Sequence, residues 1–299
     1  MDRRMVLAGG SALVLSACAP ASMTAPEAEA PFDGARIMVW TSGQGRDLVL
    51  IPGLSSHPEI WDDLVARLGA GYRVHRVHVR GFAGLDAGDN ASGLVAAPVA
   101  EAIADYLTFS GIPSAAVIGH SMGGQIALKM AADAPGRIGR VMVVDSSPFF
   151  PSLINARATT ADVAPLAEVV RTAVLFLGDQ VLRQQAGAVG ERLGGAADAV
   201  VGAMGWQGGD RRVLAQGIYE VMTTDLRADL ARVTAPVTVV YGWSESADSP
   251  RHQVDQGFRQ SFLRLRNAAR FERIEGAQHM VMIDRPREFL AAVNRFLAP

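Results

Sequence analysis

Ser121 stands between glycines in Gly119-His120-Ser121-Met122-Gly123, and a third glycine, Gly124, follows at once. A serine hydroxyl attacks a carbonyl only if a base takes its proton as the new bond forms. The β-rich run Ala115–Gly119 precedes the serine and an Ala-rich helical run begins at Met122, so Ser121 falls on a tight strand-to-helix turn. Such a turn presents the hydroxyl, needs glycine where backbones cross, and aims the free N–H groups of the helix start at a developing oxyanion. The plainer alternative is a serine that merely caps the helix. Among six histidines, His279 in Gly276-Ala277-Gln278-His279-Met280 lies after the last strand-like run and before the closing helix, which makes it the candidate base. His57, His75, His78, His120 and His252 read as structural or solvated. The spacing of His75 and His78 puts them on opposite strand faces with no third ligand, so neither a metal site nor a cofactor is expected.

These residues need a scaffold, and the chain alternates strand and helix. Short β-rich runs at Arg36–Trp40 and Asp47–Ile51, separated by Ser42-Gly43-Gln44-Gly45, predict an opening hairpin. Helical spacing over Pro58–Leu68 leads to a strand at Tyr72–Val79, a helix at Gly93–Leu107, the strand at Ala115–Gly119, a helix at Met122–Ala134 and a strand at Val141–Val144. This order demands a largely parallel sheet with helices on both faces. From Phe149 to about Leu230 the pattern turns helical, with breaks expected at Gly178, Gly194-Gly195 and Gly208-Gly209. Strand and helix then return at Val237–Tyr241, Val254–Leu265, Arg270–Ile274 and Pro286–Leu297. Phe149, Phe150, Phe176 and Trp206 of the inserted segment could roof an apolar acyl pocket or simply form its own core.

With these pieces in hand, the chain resembles the α/β-hydrolase superfamily, in its serine-nucleophile, esterase- and lipase-like branch with a helical cap. The likeness rests on Leu50-Ile51-Pro52-Gly53-Leu54, Val79-Arg80-Gly81-Phe82-Ala83-Gly84, Gly119–Gly124, Ala235–Gly242 and Gly276–His279, and covers nearly all of Asp47–Leu297. It implies a mostly parallel eight-stranded sheet and an oxyanion hole formed by the backbone N–H groups of Leu54 and Met122. Ile51-Pro52-Gly53 replaces the usual histidine-glycine pair, and His78 stands where an aspartate is common. For the third triad member the resemblance points to the loop after Val237–Tyr241, where Glu245 has the usual offset; Asp248 and, at the end of Val141–Val144, Asp145 are rivals. The implied activity is ester hydrolysis through an acyl-enzyme. Carbon–carbon bond hydrolysis, acyl transfer, or a silent envelope binding protein are the alternatives.

The N-terminus reads as an address. Arg3-Arg4, the apolar run Met5–Leu15 and Leu15-Ser16-Ala17-Cys18 form a signal-peptide outline that resembles a bacterial lipobox, with Cys18 the only cysteine and the expected lipidation site. The arginine pair also resembles a twin-arginine export signal. The expected layout is a signal peptide at 1–17, lipidated Cys18 and tether at 18–34, hydrolase core at 35–148 and 231–299, and cap at 149–230. The expected location is the bacterial cell envelope, with a membrane held through the Cys18 lipid and a small acyl compound as substrate. The 299 residues, 49% apolar and 19% charged, suit a large globular α/β domain rather than a disordered chain. A net charge of −2 provides no field for a polyphosphate, so nucleic acid is not an expected partner.

Overall fold

β-Branched and aliphatic runs buried on both faces build an eight-stranded sheet in the computed structural model, which describes residues 31–192, 207–245 and 249–298. In chain order the strands are β1 (Phe32–Asp33), β2 (Ile37–Gly43), β3 (Gly45–Ile51), β4 (Gly71–Val79), β5 (Ala115–His120), β6 (Ile138–Val144), β7 (Val237–Trp243) and β8 (Arg270–Glu275). Their spatial order is β1-β2-β4-β3-β5-β6-β7-β8. Only the β1/β2 and β2/β4 pairs are antiparallel. The helices are α1 (Asp62–Arg67), α2 (Ala96–Phe109), α3 (Met122–Asp133), α4 (Thr160–Arg192), α5 (Arg211–Thr223), α6 (Arg251–Ser261), α7 (Val281–Asp284) and α8 (Pro286–Leu297).

Alternation along each strand feeds two cores. Val49, Ile51, Val117, Val143 and Val239 face the layer of α2 and α3, while Leu48, Leu50, Ile118, Val144 and Val240 face the layer of α1 and α8. Trp61 stacks on Phe289 in the second layer, both completely or almost completely buried. Burial of this kind stabilises by about 1.5–3 kcal/mol per large side chain.

The predicted opening hairpin does not form. β2 and β3 are joined through Gln44, but β4 lies between them, antiparallel to β2 and parallel to β3. Positive φ at Gly43 (76°) and Gly45 (115°) makes the crossing possible, and a Cβ on Gly45 would lie 2.3 Å from the Gly71 carbonyl oxygen.

Between β6 and β7 the described residues form α4 and α5, as the periodicity predicts, yet the backbone of α4 runs through Gly178 without the expected break. A glycine costs a helix only about 1 kcal/mol against alanine, too little to end one supported elsewhere. Gly194-Gly195 lie outside the described residues. Gly208-Gly209 do interrupt the helical run, in the link before α5, where Gly209 pairs with Phe82 in an isolated antiparallel bridge. α5 is fastened to the core by Glu220, 5% exposed, whose carboxylate accepts the Val95 and Ala96 N–H groups at 2.8 Å each. A carboxylate at the start of α2 also suits the positive end of the helix dipole. No described helix is long and apolar enough to cross a membrane, and residues 1–30, with Cys18, lie outside the described residues.

His75 and His78 point to opposite faces, as their spacing requires. His75 Nε2 lies 2.9 Å from Asp47 Oδ1, whereas His78 Nε2–H donates to the Phe82 carbonyl at 2.9 Å and its Nδ1 has no partner. Burial, with His57 and Arg80 nearby, pushes the His78 imidazole down to about 4 despite the opposing pull of the Phe82 bond. The unfolded chain therefore takes up a proton between the usual histidine range and pH 4 that the folded chain refuses, and stability falls as pH falls through that window. Urea unfolding at pH 7 and pH 5 should show His78 alone contributing a loss of about 2 kcal/mol on acidification, and His78→Gln should flatten the pH dependence by that amount.

Candidate active site

β5 ends at His120 and α3 begins at Met122, which leaves Ser121 in the turn at φ 52°, ψ −122°. An L-residue held there is strained by about 1–3 kcal/mol. Backbone crowding explains the flanking glycines. A Cβ on Gly119 would lie 2.1 Å from the Gly123 carbonyl oxygen, and one on Gly123 would lie 2.4 Å from that of Ile51. The Ser121 side chain makes no capping hydrogen bond to α3, so the helix-cap alternative does not describe it. The residue is 7% exposed.

His279 lies in the loop between β8 and α7, and its Nδ1 is 2.6 Å from Asp145 Oδ2. With the carboxylate ionised, Nδ1 carries the proton and donates it, which leaves Nε2 as the basic nitrogen. Asp145 directly follows β6. Its own N–H donates to the Val240 carbonyl at 2.7 Å, its φ is 44°, and its Oδ1 accepts the Gly242 N–H at 3.1 Å. Both carboxylate oxygens are thereby committed, one to the backbone of β7 and one to the imidazole.

Glu245, the residue expected to meet His279, does not do so in the structure. β7 continues to Trp243, two residues beyond the predicted strand, and carries Glu245 to an exposed position in an open hollow with Trp243, Arg251, Glu275 and Gly276. Asp145, at the end of β6 between β5 and β7, meets His279 instead. Asp248 lies outside the described residues.

The turn after β3 brings Leu54 to the same edge. Leu54 is almost completely buried, and a Cβ on the preceding Gly53 would lie 3.1 Å from Ser121 Cβ. Met122 occupies the first position of α3, where the backbone N–H has no intrahelical acceptor. Leu54, through Gly53, and Met122 thus both adjoin Ser121. The chain returning from the cap secures the Leu54 turn, since Gln207 N–H donates to the Ser55 carbonyl at 3.2 Å and Ser55 Oγ–H to the Gly208 carbonyl at 3.0 Å.

His120, next to the nucleophile, is completely buried; its Nε2–H donates to the His279 carbonyl at 3.0 Å, and the two rings lie 4.6 Å apart. Burial and the nearby His279 hold its imidazole well below the usual histidine value, against the pull of that hydrogen bond. It is a neutral brace for the base loop. Among the described residues no group of three or more His, Cys, Asp or Glu could hold a metal ion.

A strained serine, an imidazole oriented by a carboxylate and two N–H groups at one sheet edge can carry out nucleophilic acyl transfer. A family model described as "Alpha/beta hydrolase family" matches residues 48–293. The pimeloyl-[acyl-carrier protein] methyl ester esterase of Aliivibrio salmonicida (strain LFI1238) is 28% identical over 262 residues, covering 87% of this chain and 95% of that protein. The protein of the same name from Nitrosomonas europaea is 30% identical over 220 residues, covering 70% and 81%. Among solved structures, a hydrolase from Pseudomonas aeruginosa PA01 superposes with a TM-score of 0.66 at 24% identity over 88% of this chain and 94% of its own. The enol-lactonase from Burkholderia xenovorans LB400 does so with a TM-score of 0.59 at 22% identity over 87% and 96%. At these identities the structural likeness speaks to the fold.

If the Asp145 contact orients the base, Asp145→Asn should lower kcat/KM on ester substrates by a factor on the order of 10⁴ while leaving the fold intact. Glu245→Gln should stay within about twofold of the parent, as expected for a solvated side chain. Steady-state kinetics of the two variants side by side make the comparison.

Proposed function

The chain belongs to the alpha/beta hydrolase family, and from that premise we propose that it is a serine ester hydrolase in which Ser121 is the nucleophile, His279 the base and Asp145 the partner of the base. The observation that carries this reading is the 2.6 Å contact of His279 Nδ1 with Asp145 at the edge of the sheet where Ser121 holds its strained turn. His279 Nε2 takes the proton as Ser121 Oγ attacks the ester carbonyl, and the Leu54 and Met122 N–H groups receive the oxyanion. His279 then returns the proton to the leaving alcohol, and water releases the acid by the same steps in reverse. Each oxyanion donor is worth on the order of 10²–10³ in rate. The relatives named as pimeloyl-[acyl-carrier protein] methyl ester esterases support an ester of a small alcohol with an acyl chain as the substrate class. The same proposal takes residues 1–17 as a cleaved export signal and Cys18 as lipidated, on the strength of Leu15-Ser16-Ala17-Cys18.

One experiment addresses the chemistry and the location. In fractionated cells expressing the full chain, a fluorophosphonate probe should label Ser121 in the membrane fraction, and Cys18→Ser should move the label to the soluble fraction. Ser121→Ala should abolish the label and lower ester turnover by a factor on the order of 10⁶. Full turnover in Ser121→Ala would refute the catalytic assignment, and label in the soluble fraction of the parent would refute the anchor.

A further inference from the structure

The mechanism above leaves Ser146 and Gly124 unused. Ser146 is completely buried, and its hydroxyl donates to the Ser121 carbonyl oxygen at 2.6 Å. That oxygen also accepts the Gly124 N–H at 2.8 Å and the Gln125 N–H at 3.3 Å, the first bonds of α3. On its other side, the Ser121 N–H donates to the Val144 carbonyl at 3.0 Å. Val144 and Ser146 flank Asp145. Three consecutive residues at the end of β6 therefore hold the nucleophile by its N–H and its carbonyl while presenting a carboxylate to the base.

Gly124 belongs to the same contact. A Cβ there would lie 2.6 Å from Ser146 Cβ and 2.7 Å from its Oγ, so the third glycine of the motif makes room for the Ser146 side chain. The crossings at Gly119 and Gly123 do not involve Ser146; they are against backbone.

We infer that Ser146 is a positioning residue for the nucleophile, holding the Ser121 peptide in its strained conformation through the carbonyl; this rests on the ester-hydrolase reading of the site. A turn that relaxes when the hydroxyl is removed misplaces Oγ, and misplacement by an ångström slows chemistry by a factor on the order of 100. The Asp145 carboxylate keeps its own bonds to Gly242 and His279, so the orientation of the base is not altered by the change. The effect belongs in kcat, with KM and the pH inflection of the parent retained.

The test compares the parent with Ser146→Ala and Ser146→Cys in a short-chain nitrophenyl ester assay across a pH series, with thermal unfolding of each. Ser146→Ala should lose roughly 10- to 100-fold in kcat, with KM within about twofold and the same pH inflection. Ser146→Cys, a weaker donor of similar size, should fall between the two. If Ser146→Ala does not unfold cooperatively, the intermediate loss expected of Ser146→Cys carries the test. A kcat equal to the parent's, or a loss accompanied by a shifted inflection or a matching rise in KM, overturns the inference. Absence of ester turnover and of probe labelling in the parent itself overturns the ester-hydrolase reading, and the inference with it.

Discussion

The Asp145 carboxylate selects which nitrogen of His279 is basic, and much of the site is arranged around that selection. One oxygen accepts the imidazole Nδ1–H at 2.6 Å and the other is tied to the backbone of β7 at Gly242. An imidazole without this contact could rotate or change tautomer, and Ser121 would then lack a dependable acceptor for its proton. His120 contributes from below, fixing the histidine loop by its carbonyl while staying neutral in a completely buried position. The geometry of the base is thus set from two directions by groups that need not move during turnover.

The parallel sheet makes this economical. β3 to β8 run the same way, so their carboxyl ends share one edge, and Leu54, Ser121, Asp145 and His279 follow four of them. The four non-glycine residues with positive φ among those described, Ser55, Ala83, Ser121 and Asp145, all lie in turns at this edge, since β4 also runs parallel to β3. Strain of this kind persists only where surrounding structure over-determines it. Here the surroundings are the close backbone crossings at Gly119 and Gly123, the hydrogen bonds from the end of β6, and the cap segment that returns over Ser55.

Local signals made much of this legible. The Gly-x-Ser-x-Gly turn follows from residues adjacent in the chain, and the strand-helix alternation follows from periodicity, so β5, α3 and α8 lie close to where the sequence predicts them. His279 was readable because its loop falls between the last strand and the last helix. Other features depend on distant pairing. The identity of the acid is decided by how far β7 extends and which strand end faces the histidine loop, and an offset counted from Gly242 points to Glu245 instead. The opening hairpin fails for a related reason, since β4, contributed from later in the chain, inserts between two strands that look like neighbours. Ser146 carried a faint signal, the polar run Asp145-Ser146-Ser147 after apolar residues, but nothing local tells a buried serine aimed at the turn from one facing water.

α5 is tied to the core and to the turn after β3. Glu220 ties α5 to the start of α2, and a Cβ on Gly217 would lie 2.5 Å from Leu54 Cδ1, so the same helix rests on a residue whose N–H is assigned to the oxyanion. The most direct measurement of the central claim is a crystal structure of the protein after reaction with a fluorophosphonate. Expected are phosphorus bonded to Ser121 Oγ, a phosphonyl oxygen about 3 Å from the N–H groups of Leu54 and Met122, and His279 still held by Asp145. Phosphorus on another residue, an oxygen turned away from both N–H groups, or Glu245 in place of Asp145 on the imidazole would contradict that claim.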